Sequence, residues 1–163
     1  VVGRVKTFVQ FAAPQVAGLA LTELVYCVAA PAEWQSRIDG AGWRELAALP
    51  WIVTPPISTH HRLLRAIFSE HGVAPAKVIE ADAEAVISNL VASGLGVSLM
   101  REDLARVRER AGEVCIWPNA RVRTTLWFIY RAERGSDPLI GALLNVVAET
   151  WQVPAAPEQV GFA

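Results

Sequence analysis

The chain has 163 residues, 53% of them apolar and 19% charged, with 15 Lys and Arg against 16 Asp and Glu. It is long enough to bury one ordinary core and too apolar to stay unfolded. A formal charge of −1 excludes the net basic field that holds a nucleic-acid backbone. No apolar run reaches the ~18 residues of a membrane helix, because Glu23 and Pro31 interrupt the most apolar segment. The first four residues, Val-Val-Gly-Arg, carry neither Met nor the apolar core and small-residue cleavage site of an export signal. A piece of a longer protein is therefore expected. Cys27 and Cys115 sit in apolar, strand-like runs and read as buried free thiols, which suits a reducing cytoplasm.

In chain order, residues 5–11 alternate loosely, as a strand would, and residues 14–18 read as a loop. Residues 24–30 are a continuous apolar run stopped by Pro31, which predicts a central buried strand. Residues 43–49 allow one or two helical turns before Pro50, and residues 51–53 a short strand. Thr54-Pro55-Pro56-Ile57 must turn, since a residue before proline avoids the helical backbone. Ser58 or Thr59 can then cap a helix running to His71, with Leu63, Leu64, Ile67 and Phe68 on its apolar face and Gly72 beyond its end.

Residues 77–81 form a short β-prone run. Asp82 stands where an N-cap belongs, and Glu84 places negative charge in the first turn of the next helix. Ala83, Val86, Ile87, Leu90 and Val91 repeat as one apolar face, and Gly94 is placed to end the helix in a left-handed conformation. Residues 96–100 follow as an apolar strand. Strand, helix, strand over so few residues implies parallel strands joined by a right-handed crossover. Residues 101–110 predict an Arg-rich helix with Leu104 and Val107 facing inward, and residues 113–117 and 124–131 two further strands. Asp137 followed by Pro138 starts a last helix with Ile140, Leu143, Leu144, Val147 and Trp151 on one face. The tail, 153–163, has no periodicity and is expected to be flexible.

Chemical motifs are few. His60 and His61 are adjacent, so on a helix they point about 100° apart and cannot chelate together; solvated or capping roles are expected for both. Ser98 is not in a nucleophile elbow and has no signalled base. Gly94-Leu95-Gly96 lacks the third glycine of a dinucleotide fingerprint. Arg101, Arg106, Arg108 and Arg110 read as a solvated face paired with Glu102, Asp103 and Glu109. Most of the six tryptophans are core candidates, with Trp34 and Trp43, in loop-like segments, expected to be partly exposed. No metal site, cofactor or catalytic set is predicted.

Two stretches carry a family resemblance. Residues 80–99, E-A-D-A-E-A-V-I-S-N-L-V-A-S-G-L-G-V-S-L, match in register a helix, its start and the glycine turn that ends it. Residues 21–31, L-T-E-L-V-Y-C-V-A-A-P, match a segment that passes between two lobes. Both resemble the effector-binding domain of LysR-type transcriptional regulators. The resemblance implies an α/β fold of the periplasmic-binding-protein type 2-like, two-lobed kind, truncated at the N-terminus. Residues 1–152 would form the domain, with lobe two (29–126) complete and lobe one partial (1–28 and 127–152). Lys6 stands near a position where the family has Asp, so residues 3–11 depart from its pattern.

The resemblance further implies a bacterial, cytoplasmic, non-enzymatic sensor of a small, anionic metabolite. The effector would lie between the lobes, at the turn after the strand ending at Val53 and at the loop before the helix at Asp82. On that carry-over the effector-binding residues are Thr54, Pro55, Ile57, Ser58, Ala81 and Asp82. The implied partners are the effector and a second copy or more of the chain. DNA would be reached only through a helix-turn-helix domain absent from the chain, and no membrane is involved. The alternative is a free-standing solute-binding protein of a transport system.

Overall fold

The computed structural model describes residues 15–159; the strand expected at residues 5–11 lies outside them. The chain divides into two compact units, Val25–Val122 and, of the described residues, 15–24 with 123–159.

The larger unit is built on a mixed sheet. Strand β1, Val16–Pro31, starts in the smaller unit, and its second half is the buried run expected from composition. On one side it pairs antiparallel with β4, Ser98–Arg101, in a register setting Tyr26 opposite Arg101 and Cys27 opposite Met100. On the other side lies β5, Val114–Arg131, which joins the two strands expected separately at 113–117 and 124–131 into one. Strand β2, Pro50–Val53, pairs parallel with β3, Lys77–Glu80. It also meets Val97, at the entry to β4, through one parallel bridge at Trp51. The strands flanking the central helix are thus not neighbours, because β2 stands between them.

Helix α1, Gln35–Ile38, and α2, Trp43–Ala47, are single turns. Helix α3, Thr59–Glu70, is capped by the Ser58 hydroxyl, which accepts from the His61 N–H, and buries Leu63, Leu64, Ile67 and Phe68. Helix α4, Glu84–Ala92, starts later than expected: Ala83 is its N-cap, and no side chain caps it. The Asp82 carboxylate is therefore not spent on the helix. Ile87 and Val91 are buried, Val86 is exposed, and Ser88 lies in the core in its place. Gly94 takes φ +84°, the left-handed end expected of it.

Helix α5, Glu102–Arg110, corrects a second expectation. Its buried residue is Ala105, while Leu104 and Val107 are exposed. A small residue lets the helix approach the sheet closely, and the larger apolar side chains then flank the contact. The core of this unit gathers Cys27, Ala29, Ile52, Ile87, Val91, Met100, Ala105 and Val114. Trp51 is fully buried, with its indole N–H donating to the Leu46 carbonyl at 2.8 Å.

The smaller unit is simpler. The first half of β1 begins at Val16, where a loop was expected through residue 18. Helix α6, Pro138–Trp151, is capped by the Asp137 carboxylate with Pro138 in its first turn. Ile140, Leu144 and Ala148 bury against Leu19, beside Phe128 and Tyr130. Leu143 and Trp151, expected on that face, are instead exposed, and so are Leu139 and Val146. Within the segment expected to be a loose tail, β6, Glu158–Gln159, pairs antiparallel with Gly18 and Ala17. Of the tryptophans, Trp34 and Trp43 are half-buried and Trp151 is the most exposed.

Candidate functional site

A cavity of about 180 Å³ opens in the larger unit, lined by Tyr26, Thr54, His60, Asp82, Glu84, Ile87, Leu99 and Met100. Five segments build it. Tyr26 comes from β1, Thr54 from the turn after β2, His60 from the first turn of α3, and Leu99 and Met100 from β4. Asp82, Glu84 and Ile87 come from the loop into α4 and its first turn.

The proline-bound turn places Thr54. Because Pro55 bars a helix there, the chain leaves the sheet with the Thr54 side chain buried, and α3 begins five residues later. Its hydroxyl meets the Ser58 hydroxyl on one side and His60 Nδ1, at 3.1 Å, on the other. His60 Nε2 bonds the Leu99 carbonyl on β4. A carbonyl can only accept, so Nε2 carries the ring proton and Nδ1 accepts from Thr54. Thr54 in turn accepts from Ser58, whose oxygen also receives the His61 N–H at 3.0 Å. The chain of bonds from Ser58 to Leu99 is thus complete with His60 neutral.

Burial pushes the His60 imidazole below its ordinary 6.5, against the Leu99 bond, which favours the proton. His61 adds to the lowering, and its own Nδ1 donates to the Thr54 carbonyl at 2.8 Å. The Tyr26 ring meets His60 edge-on at 5.9 Å. Burial first, and the Glu84 charge second, push the Tyr26 phenol above its ordinary 10.0.

The charges beside the cavity are uneven. Arg101 holds Asp103 through two guanidinium nitrogens, at 2.6 and 3.2 Å, and stands 3.9 Å from Glu84. The Asp103 hydrogen bond is the main cause that raises the Arg101 pKa. Asp82 has no ion pair or hydrogen bond among the described residues. Among those residues no group of three or more His, Cys, Asp and Glu side chains is arranged to hold a metal ion.

Of the six residues expected to bind an effector, Thr54 and Asp82 line the cavity. Ser58 is one hydrogen bond behind Thr54. Pro55 is half-buried and accepts the Ser58 N–H at 3.0 Å through its carbonyl. Ala81 packs on the core and bonds the Val53 carbonyl at 2.9 Å. Ile57 is 86% exposed and lies on the surface of the turn. Pro55, Ile57, Ser58 and Ala81 therefore do not line the cavity.

Sequence reasoning missed Tyr26, His60 and Glu84. Tyr26 carried a usable signal, being the one hydroxyl-bearing side chain inside an apolar run. His60 carried none, because its partner, the Leu99 carbonyl, lies 39 residues away. Ser98, dismissed as a nucleophile, is fully buried and donates to the Ile52 carbonyl at 2.7 Å, tying β4 to β2. Neither cysteine is poised for chemistry: burial and then Glu102 push the Cys27 thiol up to about 12, and burial raises Cys115 as well.

A mainly apolar cavity with a few converging polar groups and two helix starts beside it is the kind of place where α/β domains bind ligands. Residues 7–152 match the family described as the LysR substrate binding domain. The chain belongs to that family, and is the effector-binding domain of a LysR-type transcriptional regulator, a non-enzymatic regulatory family. No curated protein matches it.

Several solved structures share the fold. LysG from Corynebacterium glutamicum, solved at full length with bound effector Arg, is 17% identical over 84% of this chain and 47% of its own, with a TM-score of 0.61. The regulatory domain of CcmR from Synechocystis PCC6803, in complex with 2-PG, is 14% identical over 85% of this chain and 68% of its own, at 0.65. The effector-binding domain of QuiR, in complex with shikimate, is 16% identical over 90% of this chain and 69% of its own, at 0.66. This chain thus spans about half the length of full-length LysG. The fold is the mixed α/β, periplasmic-binding-protein type 2-like one of these regulatory domains. Among the described residues, no helix is long and apolar enough to cross a membrane.

Proposed function

We propose that the cavity lined by Tyr26, Thr54, His60, Asp82 and Glu84 receives the small metabolite to which this regulator responds. The single observation that carries this reading is the convergence of five polar side chains from four elements on one cavity of about 180 Å³. That volume is below the roughly 300–1,000 Å³ that holds a drug-sized ligand, which favours a small metabolite. Relatives with the same fold support it too, since LysG is solved with Arg, the CcmR regulatory domain with 2-PG and the QuiR domain with shikimate, all small molecules. The ligand shifts a conformational equilibrium by binding one state more tightly than the other. Thr54→Val removes the hydroxyl that links Ser58 to His60 at nearly constant volume. A metabolite that raises the melting temperature of the parent and not of Thr54→Val supports the site; equal protection of both rejects it.

An anionic effector was expected. The start of α4, which no side chain caps, favours one, but the carboxylates of Asp82 and Glu84 stand at the same place.

The same reading carries three finer proposals. The larger unit, with its own core, is a whole lobe, and the smaller is part of the other. The chain associates with a second copy or more through residues 1–30 and 137–151. Leu139, Leu143 and Val146 support this, as they form one exposed apolar stripe on α6. A monomer by light scattering at tens of micromolar would reject that contact. Finally, DNA is contacted in the cytoplasm by a helix-turn-helix domain outside these 163 residues, so the chain alone does not retain promoter fragments in a gel-shift assay.

A further inference from the structure

Charge decides which small molecule the cavity can take. Two of its lining residues, Asp82 and Glu84, carry carboxylates, and no lining residue carries a fixed positive charge. Arg101 stands 3.9 Å from Glu84, and its guanidinium is held by Asp103 at 2.6 Å. One positive charge therefore stands among three negative ones. The remaining polar group that could recharge the cavity is His60, and both of its ring nitrogens are satisfied with the ring neutral. The start of α4 offers a partial positive charge of about one half at most, less than either carboxylate. Asp82 is also free of the capping role that would have consumed it, since Ala83 is the N-cap.

We infer that the cavity selects an organic cation, an ammonium or guanidinium group held between Asp82 and Glu84 beside the Tyr26 ring. The inference rests on the effector-site reading above and adds the charge of the ligand. Three features agree with it. A guanidinium or ammonium donates hydrogen bonds and accepts none, which complements two acceptor-only carboxylates. An aromatic ring at the wall attracts cations at its face. The Tyr26 phenol already registers the negative potential of Glu84, which raises its pKa after burial does. An anion placed here would instead meet two like charges. Apolar Ile87, Leu99 and Met100 complete the wall, leaving room for a short aliphatic stem.

The test uses four simple probes of matched size: methylguanidinium, butylammonium, butyrate and methyl phosphate. Each is titrated into the 15N-labelled chain, and amide shifts are followed at Thr54, His60, Asp82 and Glu84. Both cations should shift these amides saturably and the two anions should not. Asp82→Asn and Glu84→Gln, each on an exposed side chain and expected to melt with the parent, should weaken the cations by about tenfold or more, the loss of one charge-assisted contact. Saturable binding of the anions alone, unchanged or tightened in Asp82→Asn, overturns the charge assignment while leaving the effector site standing. Cation binding that neither substitution weakens overturns it as well. Failure of all four probes to move these amides overturns both the charge assignment and the site.

Discussion

The two units solve the same problem of burying apolar surface to different degrees. In the larger unit, eight core residues from β1, β2, α4, β4, α5 and β5 close on one another, and its polar side chains converge on one cavity. In the smaller and shorter unit, among the described residues, Ile140, Leu144 and Ala148 pack on Leu19, while Leu126, Ile129, Leu139, Leu143, Val146 and Trp151 stay exposed, as many as the larger unit exposes at Ile57, Val78, Val86, Leu95, Leu104 and Val107. Exposed apolar area of this kind marks a surface made to be covered. On the reading proposed above, the larger unit holds the ligand and the smaller meets a second copy of the chain.

The contrast can be broken or sharpened by substitution. The largest effect is expected from Trp51→Ala, which empties a fully buried site, removes an edge-on contact with Phe68 at 4.9 Å and leaves the Leu46 carbonyl without its donor. A loss of about 3–5 kcal/mol is expected in urea unfolding. A loss below about 1 kcal/mol would mean that the larger unit is far less tightly packed than its burial implies.

Next comes Gly96→Ala. A methyl group there would lie 2.6 Å from the Pro50 carbonyl oxygen and 3.4 Å from Ile52, a clash with backbone that cannot swing aside. About 1–3 kcal/mol is expected, read from the same unfolding curves. Gly94→Ala should cost about 1 kcal/mol, because it forces a Cβ into φ +84° with only the end of the Glu33 side chain nearby. If Gly94→Ala costs more than Gly96→Ala, turn conformation and not close packing limits this region.

A smaller effect is expected from pH. Burial lowers the His60 pKa in the folded chain, so the unfolded chain takes up the proton first as pH falls. Stability is therefore fully present above the ordinary value of 6.5 and declines as pH drops below it. His60→Gln should flatten that decline in melting curves between pH 7 and 5, and an unchanged slope would remove His60 as its source. The smallest effect on stability is expected from Leu143→Ser, within about 0.5 kcal/mol because the residue is on the surface, while association measured by sedimentation should weaken. A large loss of stability without a change in association would erase the distinction between the two units.

Much of this protein was determined by its sequence alone. Pro55, Gly94 and Asp137-Pro138 each act through local backbone geometry, and the turn, the helix end and the helix start they imply are all present. The alternation and spacing of apolar residues likewise marked β2, α3 and the buried half of β1. Other features waited on the tertiary structure. Ala105, not Leu104 or Val107, became the buried contact of α5, because the depth of approach to the sheet, and not hydrophobicity, chose which residue fits. Two expected strands became the single β5, which lies beside β1 in the sheet and runs on through Pro118 and Asn119. The cavity too was legible only in part. Thr54 and Asp82 stand beside recognisable turns, whereas Tyr26, His60 and Glu84 reach it because long-range strand pairing and helix placement bring them there, and no local pattern encodes that convergence.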